Sequence, residues 1–355
     1  MSRSVLKGRF SHKARSLATL LLISAKVLAQ RAIGKPLVRE WPIVFEIGTR
    51  FWRAQFNRAL AMKDIAEGRA YLDSLVTTPD IRPDVEIRPT EAGEPRGDWF
   101  IPRTQTSKVT LLHFHGGGYT YYSAASRELI ALLAHSLGVR IFAPDYRLTP
   151  EHPYPAQLDD ALEAFRFLLR QGVDPSELVV CGDSAGGHLT LMTLAKLHEA
   201  GLPQPALAIG LSPWTDTGRS GTSQFGNDRY DLLQGYMTLQ FSTWLKGESR
   251  YQDADISPIK QSFAGLAPIY IQAGGKEILI DMIREFAHTV QAQGGRIRLD
   301  VWEFMTHEFH AYGDELAESR DALGRIREAL AWATEPIAPE RFPVTAHTEV
   351  DHLTA

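Results

Sequence analysis

Residues 179–188 read Val-Val-Cys-Gly-Asp-Ser-Ala-Gly-Gly-His, and this stretch decides the fold that the sequence predicts. An apolar, β-branched run ends in a Gly-x-Ser-x-Gly element, and a helix-compatible stretch follows at residues 189–198. Because Gly182 and Gly186 lack side chains, a strand and a helix can approach each other closely around Ser184. The stretch therefore predicts a strand, a sharp turn and a helix, with the exposed hydroxyl of Ser184 as a nucleophile.

Segments typical of strands and helices alternate along the chain on both sides of this turn. Short connections join most of them, which predicts an α/β fold with a mostly parallel central sheet flanked by helices. Strands are expected at residues 85–88 and 98–101, as an antiparallel hairpin, and at 109–114, 139–143, 178–181, 206–211, 268–273 and 298–302. Helices are expected at residues 126–137, 158–170, 282–293 and 316–332, and one or two more at 44–76 with a break at Gly68.

The composition is that of a globular protein. With 44% hydrophobic and 23% charged residues, the 355-residue chain is long enough for one large domain with a small appendage. A net charge of −4 gives no general affinity for nucleic acid. Cys181 is the only cysteine, so no intrachain disulfide can form, and no metal-ligand string such as His-Glu-x-x-His occurs. We therefore expect neither a metal nor a cofactor.

The first 39 residues are rich in lysine and arginine and contain no acidic residue. A leucine-rich run at residues 17–23 lies among them and is too short to span a bilayer as a helix. Three interpretations compete: a helix packed on the rest of the protein, a basic amphipathic helix on an anionic membrane surface, or a signal peptide with a cleavage site near residues 27–29. A cytoplasmic location is favoured, and a membrane-associated or exported protein is the alternative.

A second glycine-rich element, His115-Gly116-Gly117-Gly118-Tyr119, follows the strand expected at residues 109–114. Three successive glycines can turn their N–H groups toward one point, and such donors stabilise the oxyanion of a tetrahedral intermediate. The expected donors are the amides of Gly117, Gly118 and Ala185, with Gly116 as a further candidate. No Lys-Ser or Lys-Thr pair follows the glycines, which argues against a phosphate-binding loop.

A serine nucleophile needs a base, and the base needs an orienting acid. In a fold with this strand–turn–helix element both follow the serine in the chain, and the acid comes first. His307 and His310 fall in the loop after the last expected strand, and His307 is preferred because it comes first. Glu277 and Asp281 follow the strand at 268–273. Glu277 is preferred because it is nearer the strand end, whereas Asp281 is better placed to cap a helix.

Aromatic residues near these elements are the expected lining of a substrate pocket. They are Tyr119, Trp214, Phe241 and Trp244. Phe241 and Trp244 belong to the long segment between Pro213 and Pro268, which we interpret as an inserted helical piece over the carboxyl edge of the sheet.

Together these motifs resemble the hormone-sensitive-lipase-like family of α/β hydrolases, the bacterial carboxylesterases with a Gly-Asp-Ser-Ala-Gly-Gly turn. The similarity extends from about residue 85 to 333. The matching motifs lie at residues 115–119, 145–148, 150–153, 182–187, 212–216, 256–258 and 307–309. The resemblance implies Ser184 and His307 as triad members and an Asp-x-Leu-x-Asp acid motif, in which Glu277 replaces the first Asp here. We also expect residues 145–151 to brace the glycine loop through Arg147.

The resemblance implies hydrolysis of short- to medium-chain acyl esters through an acyl-enzyme, with a small-molecule ester as the partner. A lactone hydrolase or an amidase with the same triad is the alternative, since the segment above the site decides which substrate fits. A non-catalytic ligand receptor on the same fold is disfavoured, because such receptors lack the triad histidine and His307 is present. The oligomeric state stays open, and a homodimer is one alternative.

Three parts of the chain are expected. Residues 1–80 are a basic N-terminal segment and helical cap, and residues 81–335 are an α/β-hydrolase catalytic domain with a cap insertion at about 215–260. Residues 336–355, rich in Pro and Thr with little periodicity, are expected to be a weakly ordered tail.

Overall fold

The computed structural model describes residues 5–6, 9–74, 77–78, 84–248, 251–334 and 342–353. The strands are β1 (Val5–Leu6), β2 (Thr77–Thr78), β3 (Val85–Pro89), β4 (Gly97–Pro102), β5 (Thr110–Phe114), β6 (Arg140–Pro144), β7 (Leu178–Asp183), β8 (Leu207–Leu211), β9 (Ile269–Gly274), β10 (Ile297–Trp302) and β11 (Thr348–His352). The helices are α1 (Phe10–Ala32), α2 (Ile43–Leu60), α3 (Ile65–Asp73), α4 (Ala124–Leu137), α5 (Ala156–Arg170), α6 (Ala185–Glu199), α7 (Ser223–Gly226), α8 (Gly235–Lys246), α9 (Asp253–Ile256), α10 (Ile280–Ala292) and α11 (Ala317–Thr334).

Within these residues one nine-stranded sheet has the order β11-β10-β9-β8-β7-β5-β6-β4-β3. Strands β10, β9, β8, β7, β5 and β6 are parallel to their neighbours in that series. The hairpin β3–β4 is antiparallel, as predicted, and joins β6 at one end of this series. The last strand, β11, joins β10 at the other end and is also antiparallel to its neighbour. The α/β fold with a mostly parallel sheet is thereby confirmed.

Strand β7 is buried along its whole length and lies near the middle of the sheet. Because successive side chains of a strand point to opposite faces, β7 contributes to two separate cores. Val180 packs in a cluster with α5, α6 and α10, whereas Val179 and Cys181 pack in a second cluster with α4 and α11. The nucleophile turn at the end of β7 is therefore anchored from both faces of the sheet.

The N-terminal helices pack beside this domain. Arg31 of α1 forms an ion pair of 2.8 Å with Glu46 of α2. The predicted break at Gly68 is wrong, because Gly68 lies inside α3 and the chain turns instead before Asp64, whose carboxylate caps α3. A Cβ on Gly68 would lie 2.7 Å from the carbonyl oxygen of Ala59, so this glycine lets α3 approach α2 closely. Residues 75–76, the end of the predicted helical stretch, lie outside the described residues.

The long segment after β8 contains the helices α7, α8 and α9 and lies above the carboxyl end of the sheet. A Cβ on Gly118 would come within 2.5 Å of the Phe241 ring of α8, so α8 covers the glycine loop directly. Among the described residues, no helix combines the length and apolar character that crossing a bilayer requires.

The expectation of a weakly ordered tail is wrong for residues 348–352, which form β11 at the edge of the sheet. Val350 is buried, and Asp351 accepts a 2.8 Å hydrogen bond from the guanidinium of Arg298. The strand was missed because an edge strand exposes alternate residues, so only one apolar side chain marks it in the sequence. Residues 335–341 and 354–355 lie outside the described part of the chain.

The buried side chain of Val350 provides a test of this edge strand. Val350→Ala removes apolar contacts on the core side of β11, and we expect it to lower the free energy of unfolding by about 2 kcal/mol. Glu349→Gln, on the solvent side of the same strand, removes a surface ion pair and costs less than about 1 kcal/mol. Urea unfolding of the two variants measures both values. Equal stabilities for the two variants would contradict the packing of β11.

Candidate active site

Ser184 occupies the turn between β7 and α6 with a backbone conformation that L-residues rarely adopt, at φ 52° and ψ −116°. The amide of Ser184 donates a hydrogen bond of 2.9 Å to Leu211, and the carbonyl of Ser184 accepts one of 3.0 Å from Trp214. A Cβ on Gly186 would collide with the carbonyl oxygens of Phe114 and His115. The backbone contacts around the turn thus hold a strained serine at the mouth of a small pocket.

His307 lies across this pocket from the turn and is paired with Glu277. The two side chains are buried, and His307 Nδ1 lies 2.9 Å from Glu277 Oε2. The other oxygen of Glu277 accepts a hydrogen bond of 3.0 Å from the amide of Gly274, which fixes the carboxylate at the end of β9. With Nδ1 as donor, the free lone pair of the neutral ring lies on Nε2, and this atom makes no hydrogen bond to any described residue. Ser184 and His307 line the same pocket.

The two competing candidates have other partners. Asp281 accepts hydrogen bonds of 2.8 and 2.9 Å from the amides of Thr222 and Ser223, at the start of α7. Burial raises the pKa of Asp281, but these hydrogen bonds outweigh it and hold the pKa below its usual value. His310 Nε2 lies 3.1 Å from the side-chain oxygen of Gln272, and burial lowers the pKa of His310 to about 3. The structure therefore pairs His307 with Glu277. Neither Asp281 nor His310 takes part in this pair.

Asp231 is a site residue that the sequence analysis missed. Its carboxylate accepts hydrogen bonds of 3.1 Å from the amide of His307 and 2.7 Å from the amide of Ile278. It thereby joins the loop that carries His307 to the loop that carries Glu277. Burial raises the pKa of Asp231 to about 6. Asp231 lies in the inserted segment, where no periodicity or motif marks it.

The glycine loop supplies two unpaired amides and not three. The predicted donor Gly116 is wrong, because its N–H donates a 2.7 Å hydrogen bond to Asp183. Gly117 and Gly118 have left-handed backbones at φ 101° and 61°, and in the described structure no group accepts a hydrogen bond from their amides. Ala185 is the first residue of α6, so its N–H has no acceptor within the helix. Gly117, Gly118 and Ser184 line one pocket, next to Ala185.

The loop is braced from below, although not by Arg147 as predicted. The amide of Thr149 donates a 2.8 Å hydrogen bond to the carbonyl of Tyr119, and Arg69 of α3 donates one of 2.8 Å to the carbonyl of Thr120. Arg147 instead pairs with Asp160 at 2.8 Å. Arg69 was not identified from the sequence, since its contact depends on how α3 packs.

The aromatic residues predicted to line the pocket divide into two groups. Trp214 and Phe241 line the pocket of Ser184, as predicted. Tyr119 lies outside it, because its hydroxyl is buried against His188 Nδ1 at 2.6 Å. Trp244 also lies outside the pocket and packs against Phe241 at 6.1 Å between ring centroids. The remaining lining includes Phe56 of α2 and three leucines that the sequence did not single out, Leu232, Leu233 and Leu279.

Comparison with known proteins supports the same architecture. A model of the alpha/beta hydrolase fold family matches residues 111–311, more than half of the chain. The crystal structure of an esterase from the bacterial hormone-sensitive lipase family aligns with a TM-score of 0.71 and 30% identity, over 79% of this chain and 95% of that one. The chain belongs to the hormone-sensitive-lipase-like family of α/β hydrolases. The resemblance inferred from the motifs is thus confirmed.

Relatives of this hydrolase in sequence are named for ester and acetyl substrates. An acetyl-hydrolase of Streptomyces hygroscopicus is 35% identical over 68% of this chain and 81% of its own length. An esterase of Acinetobacter venetianus is 30% identical over 73% of this chain and 86% of its own length. An ethyl acetate hydrolase of Pseudomonas putida is 31% identical over 62% of this chain and 72% of its own length.

A carboxyl group lies close to each ring nitrogen of His307, Glu277 at Nδ1 and Glu308 at Nε2. Burial lowers the pKa of His307, but the hydrogen bond to Glu277 and the charges of Glu308, Glu277 and Asp231 outweigh it and raise the pKa to about 9. Glu308 Oε1 lies 3.5 Å from His307 Nε2, and its backbone is left-handed at φ 51°. Burial and the charge of Asp183 raise the pKa of Glu308 to about 8. The imidazolium form of His307 is therefore strongly stabilised.

The pairing of His307 can be measured directly by NMR titration of its ring. In the native hydrolase we expect His307 to titrate near pH 9. Glu277→Gln removes the hydrogen-bonded charge, so the pKa of His307 falls well below that value. Asp281→Asn is the matched control and leaves the titration unchanged, because Asp281 bonds to α7. An equal shift in both variants would contradict the assignment of Glu277 as the partner.

Proposed function

We propose that this protein hydrolyses carboxylic esters, with Ser184 as nucleophile, His307 as base and Glu277 as orienting acid. The observation that carries the proposal is the 2.9 Å contact between His307 Nδ1 and Glu277, which leaves Nε2 without a hydrogen bond beside the pocket that Ser184 and His307 line. The relatives named as esterases and acetyl-hydrolases support the same reaction class.

The reaction proceeds by acyl transfer in two halves. Ser184 Oγ attacks the ester carbonyl while His307 Nε2 takes the hydroxyl proton, and the oxyanion is stabilised by the amides of Gly117, Gly118 and Ala185. The intermediate collapses, and Nε2 gives its proton to the departing alcohol. Water then attacks the acyl-enzyme, gives a proton to Nε2, and the acid leaves as Ser184 regains that proton. Because Nε2 accepts a proton only when His307 is neutral, alkaline pH favours the reaction.

Short acyl groups are the proposed substrates. The pocket beside Ser184 is small, about 40 Å³, and the rings of Phe241 and Trp214 line it. Such a volume favours an acetyl or similarly small acyl group over a long chain. The names of the acetyl-hydrolase and the ethyl acetate hydrolase agree with this size.

Replacing the nucleophile tests the proposed function. Ser184→Ala removes the attacking oxygen, and we expect release of nitrophenol from p-nitrophenyl acetate to fall by at least about 10³-fold. Circular dichroism should show an unchanged fold, since a Cβ is already present at this position. His310→Gln, in a residue outside the pocket, serves as the control and keeps most of the activity. Turnover retained in Ser184→Ala would overturn the mechanism.

A second proposal concerns partners, and we propose that α1 rests on an anionic membrane surface. Large exposed apolar side chains concentrate at the N-terminus of the described chain: Phe10, Leu17, Leu20, Leu21, Leu22, Leu28, Ile33, Ile43 and Val44. The inner face of α1 is marked by the buried residues His12, Ser16 and Val27. At 100° per residue, Leu17, Leu21, Leu22 and Leu28 form one apolar stripe, about 140° wide, on the opposite face.

Basic residues border this apolar stripe on both sides. The same helical geometry places Lys13 along one border and Arg15 and Lys26 along the other. Residues 9–39 contain no acidic residue, so nothing on this helix opposes attraction to anionic headgroups. Each lysine or arginine near such a surface contributes about 1 kcal/mol. An apolar stripe with basic borders is the pattern of a helix that lies in the plane of an interface. Arg3 and Lys7 lie outside the described residues.

Vesicle sedimentation tests this surface. We expect the protein to pellet with phosphatidylglycerol vesicles, to pellet much less with phosphatidylcholine vesicles, and to be released by high salt. Leu21→Glu should abolish pelleting, because it places a charge in the apolar stripe. Val344→Glu changes an exposed apolar residue elsewhere and should leave pelleting intact. A different outcome is that the protein pellets with neither kind of vesicle and forms a dimer that Leu21→Glu dissociates. That result would overturn the membrane proposal and show that the apolar stripe is a homodimer interface.

A further inference from the structure

A second, larger cavity of about 310 Å³ adjoins the pocket of Ser184. It runs between α2, the glycine loop and α4. The two spaces share Phe56, Gly117, Leu232 and Glu308 in their walls. An ester held at Ser184 can therefore extend one of its two halves into this cavity, which we call the acidic pocket.

Three carboxyl groups line the acidic pocket, and its wall contains no basic side chain among the described residues. They are Glu128 of α4, Asp183 and Glu308. Burial raises the pKa of Asp183, but the hydrogen bond and charge of His113 outweigh it, so Asp183 is ionised. The Oε1 of Glu308 would lie 2.8 Å from a Cβ on Gly116, which would also contact Asp183 Oδ2, so the two carboxyl groups are neighbours.

Four aromatic side chains also line the acidic pocket. They are Trp52 and Phe56 of α2, Tyr121 and Tyr312. Tyr121 is 2% exposed, and its hydroxyl has no hydrogen-bond partner in the described structure. The negative face of an aromatic ring attracts ammonium groups, and carboxylates close to such rings add to that attraction. An unpaired buried hydroxyl is also a ready acceptor for a ligand donor.

We propose that the acidic pocket binds a cationic, ammonium-bearing half of the ester substrate. This inference rests on the proposed ester hydrolysis at Ser184 and specifies its substrate class. Anionic esters, with a carboxylate or phosphate in that half, are disfavoured by repulsion from Asp183, and above about pH 8 from Glu308 as well.

The basic residue that faces Tyr121 of the acidic pocket is already paired with a carboxylate outside it. Arg69, which faces Tyr121, pairs with Glu151 at 2.7 Å. His113 Nε2 is hydrogen-bonded to Asp183 at 2.9 Å and contacts neither Glu128 nor Glu308 in the described structure. The pocket wall consequently keeps a negative potential that a bound ammonium group would balance.

Protonation of Glu308 links this preference to pH. Glu308 faces Asp183, His307 and Glu277, and burial together with Asp183 raises its pKa to about 8. A bound cation favours the ionised carboxylate, so binding releases the proton of Glu308. The preference for a cationic ester should therefore increase as the pH rises through about 8.

Matched ester pairs test the proposal, since each pair differs only by nitrogen or carbon at one atom. Acetylcholine and 3,3-dimethylbutyl acetate place the difference in the alcohol half. Ethyl 4-(trimethylammonio)butanoate and ethyl 5,5-dimethylhexanoate place it in the acyl half. The assays are run above the Glu308 pKa of about 8, where this carboxyl group is ionised. There we expect kcat/KM for the cationic member of at least one pair to exceed that of its neutral partner by about tenfold.

Three variants locate the effect in the acidic pocket. Glu308→Gln and Glu128→Gln keep the side-chain shape and remove charge, so each should reduce the cation-to-neutral ratio of kcat/KM toward one. Glu163→Gln removes a surface carboxylate on α5 and should leave the ratio unchanged. The ratio is independent of any change in the common rate of both esters.

The outcomes separate this inference from the proposed hydrolysis. If the neutral esters are hydrolysed and neither cationic member is preferred, the acidic pocket does not recognise a cation, although the ester hydrolysis stands. If none of the four esters nor p-nitrophenyl acetate is hydrolysed, the proposed function itself fails. A preference that survives in both pocket variants would also overturn the assignment.

Discussion

The close contact between Gly186 and the end of β5 is the constraint on which the site depends. A side chain at this glycine would collide with the carbonyl oxygens of Phe114 and His115. Its absence lets α6 begin directly against the strand that leads into the glycine loop. The nucleophile turn and the oxyanion donors are thereby brought together by backbone contact alone. Asp183 strengthens this junction, since its carboxylate holds both His113 and the amide of Gly116.

Local chemistry explains what the sequence could predict. The strand–turn–helix at Ser184, the glycine loop and the order of acid and base all depend on residue types at fixed spacing. The preference for Glu277 over Asp281 agrees with the observed contact to His307 for the same reason, because the carboxylate nearer the strand end reaches the histidine. The parallel sheet followed from alternating apolar runs with short connections, and such patterns are visible in one dimension.

Several of the misplaced assignments depend on partners that are distant in the chain. Gly116 was taken as an oxyanion donor because nothing in its neighbourhood reveals that Asp183 occupies its amide. Arg69 and Asp231 brace the site from α3 and from the inserted segment, and their partners lie 47 or more residues away along the chain, as for the bond from the amide of Ile278 to Asp231. The edge strand β11 was missed because a half-exposed strand at the end of a sheet needs only one buried side chain, Val350.

Asp231 gives the inserted segment a second role besides covering the pocket. The same carboxylate holds the amides of His307 and Ile278, so the segment is part of the frame that aligns base and acid. Exchange of residues 215–260 as a unit, to graft the selectivity of another hydrolase, would remove this clamp together with the pocket wall. The cover is consequently not a separable module: a chimaera must retain an acceptor at position 231 if the grafted enzyme is to keep its catalytic alignment.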